Sequence, residues 1–227
     1  LNISLFGGYM PTVGASYTIF QYGSLDASAN AFDTIAPAIV ADYGSGANDV
    51  VTITVTELAH YYTRGHATDD WWGRAENWGF GMVPGSNATA GDVVVFALTD
   101  QASYSVNTHS GNPYIVKEMR FEGTSDWTFY NAHRDIGLNN PESGGTALFT
   151  HNGSGSVTLN CDLIMQDDTV FGGIGSGTIT INGSPFHSDY GPAVGVAESG
   201  GLTKNGDYTL VVNTVANYAG ETVINAG

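Results

Sequence analysis

The sequence predicts an all-β protein, and three observations support this. Apolar and polar residues alternate with a period of two, as in strands with one buried face, along 16–25, 49–58, 91–100, 114–123, 176–184 and 207–215. Clusters rich in Gly and Asn, such as YGSGAND and HNGSGS, separate these segments and are typical of tight turns. Helical periodicity is almost absent. We therefore expect short strands joined by turns.

The composition excludes several classes of function. The chain has 227 residues, 12% of them charged, and a formal net charge of −16. Because such an acidic surface repels phosphate backbones, nucleic acid is not an expected partner. No segment approaches the ~18 consecutive apolar residues of a membrane helix, so membrane insertion is not expected. The single cysteine, Cys161, falls on the apolar side of an alternating segment, where it acts as a small hydrophobic residue.

A short repeat in the second half favours a β-solenoid. GSVTLN, GTITIN and GDYTLVVN each begin with Gly and end with Asn. Their starts lie about 22 and then about 29 residues apart, near the length of one solenoid coil. Strands of a parallel β-helix stack about 4.8 Å apart, which lets equivalent Thr and Asn side chains form ladders. Short alternating strands also occur in a β-sandwich or jelly roll, which remains the alternative.

Two segments carry a resemblance to a known family. The segment 69–96 resembles the entry segment of bacterial autotransporter-associated β-strand repeat proteins, and the matching residues are Trp72, Asn77, Trp78, Val83, Pro84, Asp92 and Phe96. The segment 199–227 is similar to the repeat signature, with a G-L-T-K core from Gly201 and a T-x-I-N-A-G close from Thr222. The opening 57 residues resemble the segment that follows such a repeat.

The resemblance implies a right-handed parallel β-helix at a bacterial cell surface. It predicts a β-rich tail-like segment over 1–57, a connector over 58–68, and a Trp-rich entry segment with the solenoid repeat region over 69–227. The implied function is structural: a protomer or tandem repeat unit of an extracellular fibre, sheath or surface layer.

The order of these segments predicts the partner. In the family, the entry segment precedes the repeat and the tail segment follows it, whereas here the tail-like segment comes first. This order resembles one unit of a tandem array that has been cut at a different point, so the end of one unit is expected to lead into the start of the next. Unpaired strand edges pair readily, and head-to-tail contacts that do not close give filaments. The expected partners are therefore copies of the same chain, through Leu1, Asn2, Ile3, Ser4, Leu5, Val223, Ile224, Asn225, Ala226 and Gly227.

No catalytic, cofactor or metal site is predicted. The histidines of ELAHYYTRGH do not have the spacing of a metalloprotease motif. Adjacent carboxylates at 69–70 and 167–168 point to opposite faces of a strand, whereas general acid–base pairs must face one cleft. We therefore expect no enzyme and no cofactor.

The tryptophans support an alternative function. Exposed indole rings are stacking surfaces for sugars, and four tryptophans are candidates: Trp71, Trp72, Trp78 and Trp127. On this hypothesis the protein is a carbohydrate-binding or adhesin module, and surface glycans are its partners.

Overall fold

The chain forms two compact units, Leu1–Ala59 and His60–Gly227. The structure, a computed structural model, describes the following residues: 16–21, 39–42, 50–55, 59–65, 69–79, 81–86, 91–109, 113–142, 144–183, 200–214, 218 and 220–226.

The first unit contains a three-stranded antiparallel sheet. Its strands are β1 (Ser16–Gln21), β2 (Ile39–Asp42) and β3 (Val50–Val55), in the order β1-β3-β2. Thr-rich, β-branched sequences such as VVTITV in β3 favour extended backbone. The hydroxyls of Ser16 and Thr54 bond across the β1–β3 pair at 2.7 Å.

From Ala59, at the boundary of the two units, onward, the described residues form thirteen strands and one short 3-10 helix, Ala75–Asn77. The strands are β4 (Ala59–Tyr61), β5 (Val93–Phe96), β6 (Ser103–Asn107), β7 (Tyr114–Val116), β8 (Glu118–Phe121), β9 (Asp126–Leu138), β10 (Ala147–His151), β11 (Val157–Met165), β12 (Thr169–Gly172), β13 (Thr178–Ile181), β14 (Leu202–Lys204), β15 (Thr209–Val212) and β16 (Thr222–Ile224).

These strands form two sheets. The seven-stranded sheet has the order β16-β14-β12-β10-β8-β5-β4, and the six-stranded sheet has the order β15-β13-β11-β9-β6, with β7 also paired to β9. Pairing from β5 to β16 is parallel in both sheets. From β8 onward, successive strands alternate between the two sheets.

The predicted right-handed parallel β-helix is wrong for this chain, although the fold is all-β. The described strands form two parallel sheets and a separate antiparallel sheet, not a solenoid with a constant coil. Asparagines on neighbouring strands lie 22 residues apart at Asn160–Asn182 but 31 apart at Asn182–Asn213. Strand lengths also range from 3 to 13 residues. The alternative β-sandwich or jelly roll is wrong too, because those folds pair antiparallel strands.

The core is formed by side chains from both sheets. In the seven-stranded sheet, stacked phenylalanines lie 5.0–5.1 Å apart from ring to ring, in the series Phe96, Phe121, Phe149 and Phe171. Phe129 of the six-stranded sheet lies edge-on to Phe96 at 5.0 Å. Cys161 is buried in the same cluster, on the apolar side of β11 that its alternation predicts.

No helix in the described part of the chain is long and apolar enough to cross a membrane.

Candidate assembly surface

The seven-stranded and six-stranded sheets have two unlike ends, which we call the closed end and the open end. The closed end is formed by β4, β6 and residues 69–79. The open end is formed by β15, β16 and residues 225–226. Sheet order places these strands at opposite edges, so any contact that joins the two ends is directional.

Backbone hydrogen bonds cover the closed end. The amides of Thr63 and Gly79 donate to the carbonyls of Asn77 and Tyr61 at 2.8 and 2.9 Å. Beside the other sheet, the amide of Trp72 donates to the carbonyl of Asn107 at 2.8 Å. The segment 69–79 therefore uses backbone groups that an edge strand would otherwise expose.

Aromatic side chains fill the space beneath this cover. Trp72 and Trp78 lie edge to face at 5.0 Å, and Tyr114 stacks on Trp72 at 5.2 Å. Both indoles are anchored, since Nε1 of Trp78 donates to the Trp72 carbonyl at 2.7 Å and Nε1 of Trp72 donates to the Pro84 carbonyl at 3.0 Å. Burial raises the pKa of the Tyr62 hydroxyl, and the nearby Asp70 carboxylate adds to that rise.

Three of the four tryptophans proposed for sugar stacking have no exposed ring. Trp72, Trp78 and Trp127 are at most 2% exposed, and Trp127 stacks on Tyr104 at 4.7 Å inside the core. Trp71 is partly exposed. Its indole donates to the His109 carbonyl, and the Arg74 guanidinium lies 5.3 Å from its ring centre. The structure thus brings Trp72 and Trp78 together in the core and leaves a sugar no face of the three to stack on.

At the open end, two side chains are exposed although their register partners in the neighbouring inner strands are buried. Ile224 is 72% exposed, yet its register partner Lys204 and the next residue in that column, Phe171, are buried. Val212 is 40% exposed, whereas its partner Ile181 is buried. Among the described residues, β16 pairs only with β14 and β15 only with β13. In the described part of the chain, no further strand lies over these side chains, which accounts for their exposure.

A cavity of about 440 Å³ opens at this end, between the two sheets. Core side chains of inner strands line it, including Leu163, Phe171 and Ile181. Pockets of this size and apolar character are typical binding sites. Within the described ranges, the open end therefore combines a strand edge that has no partner strand with a cavity lined by core side chains.

Lys204 is a buried cation beside the cavity. It is 5% exposed, and its Nζ donates at 2.7 Å to the carbonyls of both Gly206 and Ala226. The ammonium also lies 4.8 Å from the Tyr208 ring centre. A buried charge is tolerated when hydrogen bonds satisfy it, and here those bonds hold the end of β16 against β14. Sequence reasoning missed this role, although Lys204 occupies a core-facing position of an alternating strand.

Two asparagine ladders run along the sheets. Nδ2 of Asn213 donates to Oδ1 of Asn182 at 2.8 Å, and Nδ2 of Asn182 donates to Oδ1 of Asn160 at 2.9 Å. In the other sheet, Nδ2 of Asn225 donates to Oδ1 of Asn205 at 2.8 Å. Each ladder has the same direction, with the later strand donating to the earlier one. At the open end each ladder therefore finishes on an amide oxygen.

The acidic pairs stabilise turns. Oδ2 of Asp167 accepts the Asn140 amide at 2.8 Å, and Oδ1 of Asp168 accepts the Gly201 amide at 2.7 Å. Asp69 accepts the amide of Trp71 at 3.1 Å. Among the described residues, no cluster of three His, Cys, Asp or Glu side chains has the geometry to hold a metal ion.

Only some of the predicted interface residues lie in the described part of the chain. Four of them lie at the open end: Val223, Ile224, Asn225 and Ala226. The other predicted members, Leu1–Leu5 and Gly227, lie outside the described residues.

Comparisons with protein-family models, with curated proteins and with solved structures find no match. The resemblance to the autotransporter-associated repeat stays a prediction from the sequence.

Proposed function

We propose that this protein is a structural module that associates with further copies of itself through the open end and so builds an extended β assembly. The observation that carries the proposal is the 72% exposure of Ile224, at a position whose register partner is buried.

Apolar burial and backbone pairing both favour this association. Covering a side chain such as Ile224 or Val212 is worth about 1.5–3 kcal/mol when burial is complete. Sheet edges that do not pair usually carry charges or prolines that prevent it. The sequences of β15 (TLVV) and β16 (TVI) contain neither, so these edges are suited to pairing.

The difference between the two ends supports a directional assembly. Residues 69–79 already cover the edges of β4 and β6, whereas β15 and β16 are open. A contact between unlike surfaces is heterologous, and it extends into a filament unless the rotation closes it. The proposed setting, a bacterial extracellular fibre, sheath or surface layer, rests on the sequence resemblance.

Replacement of Ile224 tests the proposal. Sedimentation velocity of the wild-type chain should show oligomers that grow with concentration. Ile224→Lys should weaken this association at least tenfold, because the added ammonium would lose its hydration at the contact. Its circular dichroism should be unchanged, since residue 224 is exposed within one copy.

Ile174→Lys is the matched control. Ile174 is 91% exposed and follows β12, a strand that is paired on both sides, with β10 and β14, so this variant should associate as the wild type does. A wild-type chain that stays monomeric at every concentration would contradict the proposal. So would equal association of the two lysine variants.

A further inference from the structure

The cavity at the open end has an apolar wall that the sheets hold in place. Leu163, Phe171, Ile181 and Leu202 line it, and each of them belongs to a strand that is paired on both sides. The cavity volume of about 440 Å³ lies within the range of roughly 300–1,000 Å³ that is typical of small-molecule sites. An apolar molecule that enters the cavity therefore leaves water for a wall that is already formed.

Lys204 adds a buried positive charge to this wall. An ammonium group has three N–H donors, and two of them reach the carbonyls of Gly206 and Ala226 at 2.7 Å. Among the described side chains, no carboxylate forms an ion pair with this ammonium. Because a buried charge without a counter-ion is costly, the wall favours a bound group of negative charge.

Tyr208 supplies a second polar group that has no protein partner. It lines the cavity and is 1% exposed, and within the described ranges its hydroxyl has no hydrogen-bond partner. The Lys204 ammonium lies 4.8 Å from the centre of the same ring, so the two polar groups belong to one part of the wall. Buried hydroxyls in proteins are normally hydrogen-bonded, and a bound molecule with an acceptor atom would supply the missing partner.

We propose that the cavity binds an aliphatic carboxylate, with its chain against the apolar wall and its carboxylate beside Lys204 and Tyr208. A carboxylate carries the charge that the buried ammonium lacks, and its two oxygens accept hydrogen bonds from N–H and O–H groups alike. The cavity lies within one copy of the chain, so the proposal goes beyond the proposed assembly and does not depend on it.

The other charges of the chain give the proposal a distinctive salt dependence. The formal charge is −16, and the exposed Asp207 also lines the cavity, so long-range repulsion opposes an approaching anion. Salt screens exposed charges much more than buried ones. Added salt should therefore tighten binding of the carboxylate. Weaker binding at high salt would indicate an exposed basic group instead and would overturn the proposal.

Calorimetric titration of the wild-type chain tests the chemistry of the ligand. The probes are decanoate, 1-decanol and decylammonium, at protein concentrations where sedimentation shows single copies. One decanoate should bind per chain, at least tenfold more tightly than decanol, because hydrogen bonds to a charged group are the stronger ones. Each methylene added between octanoate and decanoate should tighten binding about three- to fourfold. No binding of decanoate, equal binding of decanol, or tighter binding of decylammonium would overturn the proposal.

Two variants locate the ligand. Lys204→Met keeps an unbranched side chain without the charge, so it should weaken decanoate at least tenfold and change decanol less than about twofold. This change also removes the bonds to Gly206 and Ala226, so a second variant leaves Lys204 in place. Ala226→Trp puts a bulky ring at a partly exposed position of the cavity wall and should weaken decanoate and decanol alike, at least tenfold.

Ile174→Trp is the matched control for the bulky ring. Ile174 is 91% exposed and does not line the cavity, so this variant should bind decanoate as the wild type does. Unchanged decanoate binding by Ala226→Trp would place the ligand elsewhere and overturn the proposal. Self-association without decanoate binding would remove this proposal and leave the proposed function, whereas decanoate binding by a chain that stays monomeric would do the reverse.

Discussion

His151 is a buried histidine whose ionisation the fold opposes. It is 1% exposed, and its ring lies edge-on to Tyr208 at 5.5 Å. Burial lowers the pKa of His151 below its ordinary value of 6.5, and the backbone of Gly155 opposes this only in part. Protonation of His151 would therefore place a positive charge where burial disfavours it.

The pKa of His151 predicts acid destabilisation. Because its folded pKa lies below its unfolded pKa, the unfolded chain binds the proton more tightly. The contribution of His151 to stability is therefore complete above about pH 6.5 and is lost as the pH falls towards the folded pKa. Each unit of difference corresponds to about 1.4 kcal/mol. Urea unfolding between pH 7.5 and 5 measures this loss.

Two variants make the pH test specific. His151→Phe removes the titrating ring in a column that already holds Phe121, so its stability should fall less between pH 7.5 and 5 than that of the wild type. His109→Asn removes an exposed histidine and should keep the wild-type profile. A wild-type profile in the His151 variant would mean that other groups cause the acid sensitivity.

The burial of two tryptophans is a feature of the candidate site that the sequence does not predict. The sequence locates the tryptophans but does not show which side of the chain faces the core. Burial of Trp72 and Trp78 is tolerated because their N–H groups reach the backbone carbonyls of Pro84 and Trp72. These carbonyls come within reach of the rings only when the chain folds, and no local sequence pattern encodes those contacts.

At the level of elements, the repeated Gly–strand–Asn unit was informative. GSVTLN, GTITIN and GDYTLVVN correspond to β11, β13 and β15, which pair in parallel and in register in one sheet. Their closing asparagines form the ladder from Asn160 to Asn213. The pattern thus predicts strand neighbours correctly, because identical side chains stack only when strands are parallel and in register.

Glycines before these strands allow the turns to stack closely. A Cβ on Gly177 would lie 2.0 Å from the carbonyl oxygen of Gly155, and a Cβ on Gly155 would lie 2.0 Å from that of Ser125. Such distances are far inside van der Waals contact. The repeated Gly therefore has a packing cause, a close approach of one turn to the turn below.

Gly177→Ala should therefore destabilise the fold by roughly 1–3 kcal/mol, the usual cost of overpacking. Gly172→Ala is the matched control, because a Cβ there meets only Val170 Cγ1 at 3.6 Å. Urea unfolding compares the two variants. Equal midpoints would show that the turns tolerate a methyl group and that the repeated Gly has another cause.

At the level of the whole molecule, the sequence predicts the class but not the architecture. Alternation gives the strands, and the repeat indicates parallel neighbours. The number of residues between strands that are neighbours in a sheet is not constant, because the segment from β13 to β15 and the segment from β14 to β16 differ in length. These connecting segments have no periodic sequence pattern. The repeated strand sequences alone therefore do not show whether every coil has the same number of residues.

The open end is likewise a property of the whole molecule. Ile224 and Val212 belong to ordinary alternating strands, and their exposure follows only from their position at the edge of each sheet. That residues 223–226 form an interface stays a prediction from the sequence, whereas the cavity and the clamp by Lys204 are seen only in the fold.

Hydrogen exchange at different protein concentrations tests most directly whether the open edges pair between copies. Peptides covering 209–214 and 220–226 should exchange fast in dilute solution and become protected as the protein is concentrated. Peptides from β10 and β11, which lie inside their sheets, should be protected throughout. Exchange of β15 and β16 that is the same at all concentrations, in a sample that sedimentation shows to be assembled, would contradict the account.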